Sequence, residues 1–549
     1  MRNLMGPISA LLMGGAAFLL FVGWQDLIPT NIAWLQNGDR AMHQLGWMFY
    51  REAPWGMPPG ANPGLGIEIA NSIGLVDGLP LFAFPFKLFA AWLPKPFQYW
   101  GYWLLLCFQL QGLFAYLIAR SWGTSIAIAI LASGFALIAP AFAFRYPMHL
   151  ALGGHWLVLA ALWLNVKATP PRPWAWPLLV ALTASVHAYL LAMVLALWVA
   201  SWLQRILTRE LSPARGTVEI ASVAVASVIV LWAAGFLMTG SLGSKGFGDY
   251  KLNLLGFFIN DRWSRIFPDI PHTDLDYEGM SFLGIGIMAL LLVALATGAV
   301  DRLRAMATAR WWPLAALVIG MAIFALSNEI AFADTELVTI PLPARLLELI
   351  APFRSSGRFV WPLFYVVTIG GVVLATAKLA PKIAAAAVTL ALVLQLVDSA
   401  PGLVRFARAL PAPAATWTSP LVSPFWERAA GSGYNRLRGI PLQYGFGTDW
   451  QAFSYFAVTH GMDLDLIYLG RVDETAQAVL RQKEEQALET GAFEAKTIYI
   501  LKADTAERAA RHLGPDDLLA VIDDRFVFAR GGAKLIAGLG IAPLRSAGH

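Results

Sequence analysis

The first 399 residues consist of long apolar runs separated by short polar or basic stretches. A membrane-spanning helix needs about 20 predominantly apolar residues, and the runs suit that length. We predict eleven spans. Their ranges are 7–24, 100–119, 123–142, 150–166, 174–188, 190–205, 217–239, 281–299, 311–327, 359–377 and 382–398. The pattern therefore predicts an α-helical polytopic membrane protein.

Two apolar stretches do not match the length of a single span. The run from Trp174 to Trp202 is too long for one helix at about 1.5 Å per residue. We divide it at the polar cluster 185–189. Segment 79–94 is short, contains Lys87 and is bounded by prolines, so we predict a re-entrant or interfacial segment there rather than a span.

The distribution of basic residues favours eleven spans with a cytoplasmic N-terminus, because cytoplasmic loops are enriched in Lys and Arg. A twelfth span at 79–94 would reverse the side of every later loop and remove the bias. The loops predicted inside contain Arg2, Arg120, Lys167, Arg172, Arg205, Arg209, Arg215, Arg302, Arg304, Arg310, Lys378 and Lys382. This topology predicts extracytoplasmic loops at 25–99, 240–280 and 328–358. The N-terminal run also resembles a signal peptide, but we favour an uncleaved first span.

Composition agrees with the pattern and divides the chain. Only 14% of residues are charged, against about a quarter in soluble domains, which excludes a chain of soluble domains. Of the 75 charged residues, 32 follow residue 399. We predict a membrane domain at 1–399, a Pro/Ala-rich linker at 400–420 and a soluble extracytoplasmic domain at 421–549.

The last 130 residues show alternating helix and strand patterns typical of an α/β domain. We predict strands in LDLIYLGR and KTIYILK, a helix in ETAQAVLRQKEEQALETG, and a hairpin of LLAVID with FVFAR that turns near Asp524. No catalytic constellation is present in this sequence. An acceptor-binding or lid role and a purely packing role remain open alternatives.

Charge and cysteine content exclude some functions. The net charge is +5, but no Lys/Arg-rich run with interleaved aromatics points to nucleic acid. Cys107 is the single cysteine, so neither a disulfide framework nor a cysteine metal cluster can form. The sequence also contains no P-loop and no HExxH motif.

The first outer loop contains the most suggestive carboxylate. In NGDRAMHQLGWMFYREAPW, a helix would place Asp39 and His43 one turn apart on one face. A carboxylate beside aromatic rings at the membrane surface suits a general base towards a hydroxyl, or a metal ligand. The alternative is that Asp39 caps the helix N-terminus.

Two arginines lie just before the tenth predicted span, in PFRSSGRFVWPLFY. Arg354 and Arg358 flank serines, including Ser355, and the guanidinium fork suits phosphate oxygens. The alternative is that both arginines extend to lipid headgroups. Weaker candidates for substrate binding are His43, Arg145, His155, His187, Tyr189, Lys251 and Glu278. For the histidines, hydrogen bonding inside a helical bundle is the commoner explanation. Asp274, Asp276 and Glu278 are spaced like calcium ligands, but nothing else of an EF-hand is present.

The layout resembles the GT-C superfamily of integral-membrane glycosyltransferases, which use polyprenyl-phosphate-linked sugars. The resemblance extends over nearly the whole chain. Four segments look like a largely uncharacterised bacterial multi-pass family in that superfamily: GDRAMHQLGWMFYREAPW, FQYWGYWLLLCFQLQGLFAYLIAR, DYEGMSFLGIG and PFRSSGRFVWP.

The resemblance implies roles for individual residues. Asp39 matches the general base of such enzymes, and Arg354 and Arg358 match residues that bind the lipid phosphate. Several relatives have two adjacent acids where this chain has one, which leaves a divalent cation (Mg²⁺, Mn²⁺ or Ca²⁺) open. Glu68 or Asp77 would then join Asp39 as a ligand.

The resemblance also implies partners and a location. The partners would be the lipid-linked sugar, membrane lipids and a glycan, lipid or protein acceptor. The protein would lie in the bacterial inner membrane, with its C-terminal domain in the periplasm. The alternative function is a lipid or polysaccharide transporter, or a non-catalytic subunit of an envelope-assembly complex.

Overall fold

The computed structural model describes residues 2–69, 71–238, 242–243, 246–299, 301, 308, 310–407, 417–442, 449–467 and 472–544. Within them the chain is mainly helical. The α-helices are Arg2–Phe21, Gly38–Glu52, Pro80–Leu88, Trp100–Ser121, Ile126–Leu137, Pro140–Arg145, Trp156–Val166, Ala175–Ala184, Ala188–Leu207, Pro213–Ala233, Ile285–Ala296, Trp312–Ala325, Ala344–Ile350, Trp361–Thr376, Pro381–Ala407, Phe425–Gly431, Asp449–Thr459, Glu474–Thr490 and Ala503–Ala510.

Seven helical segments among the described residues are long and apolar enough to cross a membrane. They are Leu4–Phe21, Trp100–Ser121, Ile126–Arg145, Ala188–Leu207, Pro213–Ala233, Ser356–Thr376 and Pro381–Ala407. The other four predicted spans coincide with shorter apolar helices, at Leu150–Val166, Ala175–Ala184, Ile285–Ala296 and Trp312–Ala325. The membrane-helical character is therefore supported, whereas the count of eleven stays a prediction.

Two boundary decisions agree with the structure. The run 174–202 is divided into helices Ala175–Ala184 and Ala188–Leu207, as predicted. Helix Pro80–Leu88 has nine residues, which span only about 13 Å at 1.5 Å per residue. A hydrocarbon core of about 30 Å is beyond its reach, consistent with a segment that does not span.

The chain divides into two compact units. The first, which we call the helical unit, comprises Met1–Pro29, Tyr99–Val230 and Ser244–Pro413. The second, the mixed unit, comprises Thr30–Gln98, Leu231–Gly243 and Ala414–His549. The first predicted outer loop thus groups with the C-terminal region. Helix Pro381–Ala407 continues past residue 399, and residues 408–416 of the predicted linker lie outside the described part.

The helical unit is organised around helix Trp100–Ser121, which packs against Arg2–Phe21, Ile126–Leu137 and Trp156–Val166. The N-terminal helix has one buried face and one exposed apolar face. Phe18 is fully buried, whereas Leu12 and Leu20 are 67% and 74% exposed. Large apolar side chains on an outer face suit a lipid environment better than water. A short antiparallel hairpin, Glu329–Phe332 with Thr335–Thr339, also belongs to this unit.

The mixed unit contains a five-stranded sheet. In spatial order its strands are Asp463–Leu464, Arg436–Ile440, Thr497–Leu501, Arg525–Ala529 and Leu518–Ile522. The first three strands run parallel to one another. Arg525–Ala529 pairs antiparallel with both of its neighbours, Thr497–Leu501 and Leu518–Ile522. A further two-stranded pair joins Leu242–Gly243 to Val472–Asp473. The predicted α/β character of the C-terminal region is confirmed.

Local signals in the C-terminal sequence explain its elements. The Asp473 side chain accepts hydrogen bonds from the backbone N–H groups of Thr475 and Ala476, which caps helix Glu474–Thr490. Gly491 ends that helix in the left-handed conformation. Asp523 and Asp524 turn the predicted hairpin with positive φ angles. Of the strand predicted in LDLIYLGR (464–471), the structure places only Leu464 in a strand, Asp463–Leu464. Residues 465–467 are irregular, which corrects the prediction there, and 468–471 lie outside the described part.

Candidate functional site

Two glycines bring separate motifs of the helical unit together. A Cβ on Gly357 would lie 2.8 Å from the Cα of Gly279, and a Cβ on Gly279 would lie 2.7 Å from the carbonyl oxygen of Lys251. Gly357 N–H also donates to the Tyr250 carbonyl at 2.9 Å. Contacts this short leave no room for a side chain. The glycines of DYEGMS and SSGRF therefore allow these backbones to touch, and their charged neighbours meet.

The charged neighbours form a buried triad of Arg145, Glu278 and Arg358. Arg358 donates twice to Glu278, from Nε to Oε2 at 2.7 Å and from Nη2 to Oε1 at 2.6 Å. Arg145 forms an ion pair with the same carboxylate. All three residues are buried. Burial alone would raise the pKa of Glu278, but Arg145 and Arg358 outweigh it and hold the pKa at about 2.

The triad has two cations for one anion, so it retains a net positive charge. Arg358 lies 4.6 Å from the Tyr189 ring centroid, and an aromatic face stabilises a cation only modestly. The Tyr189 hydroxyl accepts from the Ser355 N–H at 2.9 Å, which fixes the serine beside the triad. A buried excess charge is costly unless it is paired. The arrangement therefore favours an anionic ligand nearby.

Arg354 differs from Arg358 in its surroundings. It is only half-buried, and its guanidinium lies 5.7 Å from the Tyr250 ring centroid. Within the described ranges Arg354 forms no ion pair, whereas both Nε and Nη2 of Arg358 bind Glu278. Both arginines were predicted to bind the same phosphate. In the structure the Arg354 guanidinium is partly exposed, whereas Arg358 is part of the buried triad.

Lys251 is engaged by the hairpin. Its Nζ lies 3.1 Å from Glu336 Oε1 and 3.5 Å from Glu329 Oε2, so it is neutralised by two carboxylates. Its position beside Gly279 and Gly357 suits a residue that joins the hairpin to the triad segments.

Two candidate histidines are core residues by their contacts. His155 is fully buried, with Nδ1 2.8 Å from the Tyr365 hydroxyl and its ring centroid 4.0 Å from that of Trp361. His187 Nδ1 accepts from the Tyr189 N–H at 3.1 Å and so caps helix Ala188–Leu207. These contacts favour the bundle explanation given for the histidines.

A small cavity lies beside the turn that contains Glu278. Its lining includes Asp276, His272 and Tyr277. Asp276 Oδ2 accepts from Asn253 Nδ2 at 3.0 Å. Because Asp276 faces this cavity and Glu278 faces the arginines, the calcium-like spacing of these acids does not produce a common site.

Asp39 lies in the mixed unit, in the first turn of helix Gly38–Glu52. The helix cap is Asn37, so the alternative that Asp39 is the cap is wrong. His43 follows one turn later, as predicted, but it is fully buried while Asp39 is partly exposed. Asp39 is thus accessible on a helix whose inner face is anchored by buried residues.

The two proposed partners of Asp39 in a metal site have different surroundings. Glu68 Oε1 lies 2.8 Å from Lys483 Nζ and 3.1 Å from Arg438 Nη2. A carboxylate held by two cations is a poor metal ligand. A carboxylate oxygen of Asp77 and a ring nitrogen of His43 lie within 4.8 Å of each other. This spacing would let Asp77 and His43 share a cation. Of Glu68 and Asp77, Asp77 therefore has the surroundings that suit a metal ligand.

Two charged residues that hold a candidate metal ligand were not predicted from the sequence. Arg438 and Lys483, which hold Glu68, belong to the C-terminal region, where no constellation was predicted. A detectable signal was Arg438 itself, since an arginine in the middle of a buried strand, RLRGI, needs a partner.

Comparison with protein families gives two matches. Residues 11–400 match a family described as "Domain of unknown function (DUF6311)", and residues 425–530 match the "DUF6311 C-terminal domain". No curated protein matches the chain.

Proposed function

The chain belongs to the DUF6311 family, whose description assigns no activity, and from the site geometry we propose that it is an extracytoplasmic glycosyltransferase. It would transfer a sugar from a polyprenyl-phosphate donor to a glycan, lipid or protein acceptor of the cell envelope. The observation that supports this most is the uncompensated positive charge of Arg145, Glu278 and Arg358 beside Arg354. An anionic group at the end of a membrane-spanning helix is what a lipid-linked phosphate supplies.

The donor phosphate would bind Arg354, with the net charge of the triad behind it. Segment Ser356–Thr376 is a candidate span that begins two residues after Arg354. An isoprenoid chain in the bilayer would place its phosphate at that depth. Arg358 and Ser355 would contribute through the frame that they share with Glu278 and Tyr189.

The reaction would be a single displacement. Asp39 removes the proton from the acceptor hydroxyl while that oxygen attacks the anomeric carbon. The bond between the anomeric carbon and the phosphate oxygen breaks, and the lipid phosphate leaves with the electron pair. Arg354 stabilises the negative charge that grows on the leaving phosphate. One displacement inverts the anomeric centre.

The proposal includes a topology. The protein would cross the bacterial inner membrane eleven times, with its N-terminus in the cytoplasm. Asp39, Arg354 and the C-terminal domain would lie on the periplasmic side. The basic loops and the apolar helices support this orientation.

The test is transfer of radiolabelled sugar by the purified protein in nanodiscs, with a series of polyprenyl-phosphate sugars as donors. Asp39→Asn removes the base but keeps the size of the side chain, so transfer should fall by about 10²–10⁴-fold. Glu52→Gln is the matched control at the other end of the same helix, because Glu52 pairs with the exposed Lys95. It should retain full activity.

Near-normal transfer by a folded Asp39→Asn variant would refute the assigned base. If no donor is turned over but labelled lipid or polysaccharide moves across the bilayer, the transporter alternative replaces the enzyme.

A further inference from the structure

The C-terminal sheet of the mixed unit has an edge strand, Asp463–Leu464, that is covered by the first outer loop. Gly66 N–H donates to the Leu464 carbonyl at 2.7 Å, and Leu464 N–H donates to the Gly64 carbonyl at 2.9 Å. Leu65 forms a parallel bridge with Leu464. An edge strand offers unpaired backbone groups, and here the loop satisfies them. The loop is thus joined to the edge of the sheet by a parallel β-bridge.

The loop sequence is suited to this approach. A Cβ on Gly64 would lie 2.9 Å from Asp463 Oδ1, and Gly66 has a φ of +82°. A side chain at Gly64 would require the Asp463 carboxylate to move aside, and one at Gly66 would be strained. Glycines at 64 and 66 therefore suit the close approach to Asp463 and the backbone conformation of the loop.

A charge cluster holds the same loop two residues later. Glu68 binds Arg438 and Lys483, and Arg438 uses its other nitrogens for Asp465 at 3.0 Å and Glu494 at 3.1 Å. Burial alone raises the pKa of Glu68, but the two cations lower it below its usual value. Glu68 also has a φ of +69°, a left-handed conformation that is strained in a non-glycine residue. Its neighbours must hold it there.

The C-terminal region also contacts the helix that contains Asp39. Helix Asp449–Thr459 packs against helix Gly38–Glu52. Two parts of the first outer loop, helix Gly38–Glu52 and residues 64–68, thus contact elements of residues 417–544 within one compact unit.

We propose that the C-terminal domain is a clamp that positions the first outer loop, and that Glu68 is the positioning residue by which the loop is held. This inference rests on the proposed function in one respect, namely that Asp39 on the held helix is the general base. It assigns the domain a task other than binding the acceptor.

The test is hydrogen exchange combined with transfer kinetics on the full-length protein. Glu68→Gln removes the charge with little change in size. Amide exchange of Gly66 and Ile67, which both donate to Leu464, should become about tenfold faster, since tenfold corresponds to about 1.4 kcal/mol of local stability. The kcat for transfer should fall while the KM for the donor stays unchanged. Glu68→Asp should restore part of both.

Glu494→Gln is the matched control. It removes a carboxylate from the same two cations but holds no residue of the loop. It should leave the exchange of Gly66 and Ile67 within about twofold of wild type, well inside the tenfold expected for Glu68→Gln. Equal acceleration by both variants would overturn the proposal, as would wild-type exchange in Glu68→Gln. If Glu68→Gln alone accelerates exchange but the wild type transfers no sugar, the clamp stands and the proposed enzyme falls.

Discussion

Two charge clusters, one in each unit, are balanced differently. In the helical unit Arg145 and Arg358 share the single carboxylate of Glu278. In the mixed unit three cations face three carboxylates. The members of this second cluster are Arg436, Arg438, Lys483, Glu68, Asp465 and Glu494.

This difference in charge balance distinguishes a structural network from a candidate ligand site. In the balanced cluster each charge is paired within the cluster, so its role is to stabilise the folded unit. The triad retains a positive charge that no described residue neutralises, and burial makes such a charge expensive. A negatively charged ligand would stabilise the triad by neutralising its excess positive charge. The balanced cluster has no such excess charge to neutralise.

The largest effect is expected from Glu278→Ala, which breaks the triad. Two buried guanidinium groups would lose the one carboxylate that pairs with them among the described residues, so we expect about 3–5 kcal/mol of destabilisation. Thermal unfolding in nanodiscs would measure it. Glu336→Gln is the control, because Glu336 is half-exposed and shares Lys251 with Glu329. A shift no larger than that of the control would show that the triad is not buried in the native membrane.

Arg438→Met should cost about 3 kcal/mol, the lower end of the range for breaking a buried ion pair. The loss is smaller than for Glu278→Ala because Glu68 and Glu494 keep Lys483 as a partner. Arg436→Met, two residues earlier in the same strand, is the control and should be nearly neutral, since Arg436 is 42% exposed. If both variants unfold alike, Arg438 is not the centre of the cluster.

Gly357→Ala should cost about 1–3 kcal/mol, as overpacking does, because the new Cβ would meet the backbone of Gly279 at 2.8 Å. The same displacement would weaken the bond between Arg358 and Glu278. Gly370→Ala, in the helix that follows, is the matched control because nothing lies within 4 Å of its Cβ position. An unaltered melting temperature for Gly357→Ala would mean that the two glycine motifs do not touch.

The sequence predicted elements better than it predicted partners. All eleven apolar segments coincide with helices, and Asp39 and His43 lie on a helix as expected, because these follow from local periodicity. The pairing of Glu278 with Arg358 could not be foreseen, since it depends on the contact between Gly279 and Gly357.

The same limit applies to the first outer loop. Glu68 was proposed as a metal ligand, yet Arg438, 370 positions later, holds its carboxylate. Nothing in the sequence near either residue indicates that the loop joins the C-terminal sheet. Such pairing is decided by an exposed strand edge, which exists only once the sheet has formed.

The pH dependence of stability should have opposite signs for the buried acids of the two units. The pKa of Glu278 is lowered to about 2, so its contribution is present above its usual value of 4.5 and is lost as the pH falls towards 2. Burial, and then Asp465, raise the pKa of Glu484 to about 8. Its contribution is therefore present below 4.5 and is lost as the pH rises through 8.

Glu484→Gln, a neutral mimic, should remove this alkaline loss and stabilise the protein by an amount on the order of 1 kcal/mol at pH 8 relative to pH 5. Unfolding curves across that range would measure the change in slope. Glu485→Gln is the neighbouring control, because Glu485 is exposed and pairs with Arg508. Parallel pH profiles for wild type and Glu484→Gln would contradict the raised pKa.

Arg354→Gln should have the smallest effect on stability, within about 0.5 kcal/mol, as for substitutions that break no buried contact. Its effect on binding should be larger, because a charge-assisted hydrogen bond to phosphate contributes about 1.5–3 kcal/mol. The Kd for a short-chain polyprenyl phosphate in nanodiscs should therefore rise at least about tenfold. Arg345→Gln, an exposed arginine nine residues earlier, should change neither quantity. If Arg354→Gln destabilised the protein as Glu278→Ala does, Arg354 would belong to the buried frame, and the distinction between a framework and a ligand site would fail at the residue on which it most depends.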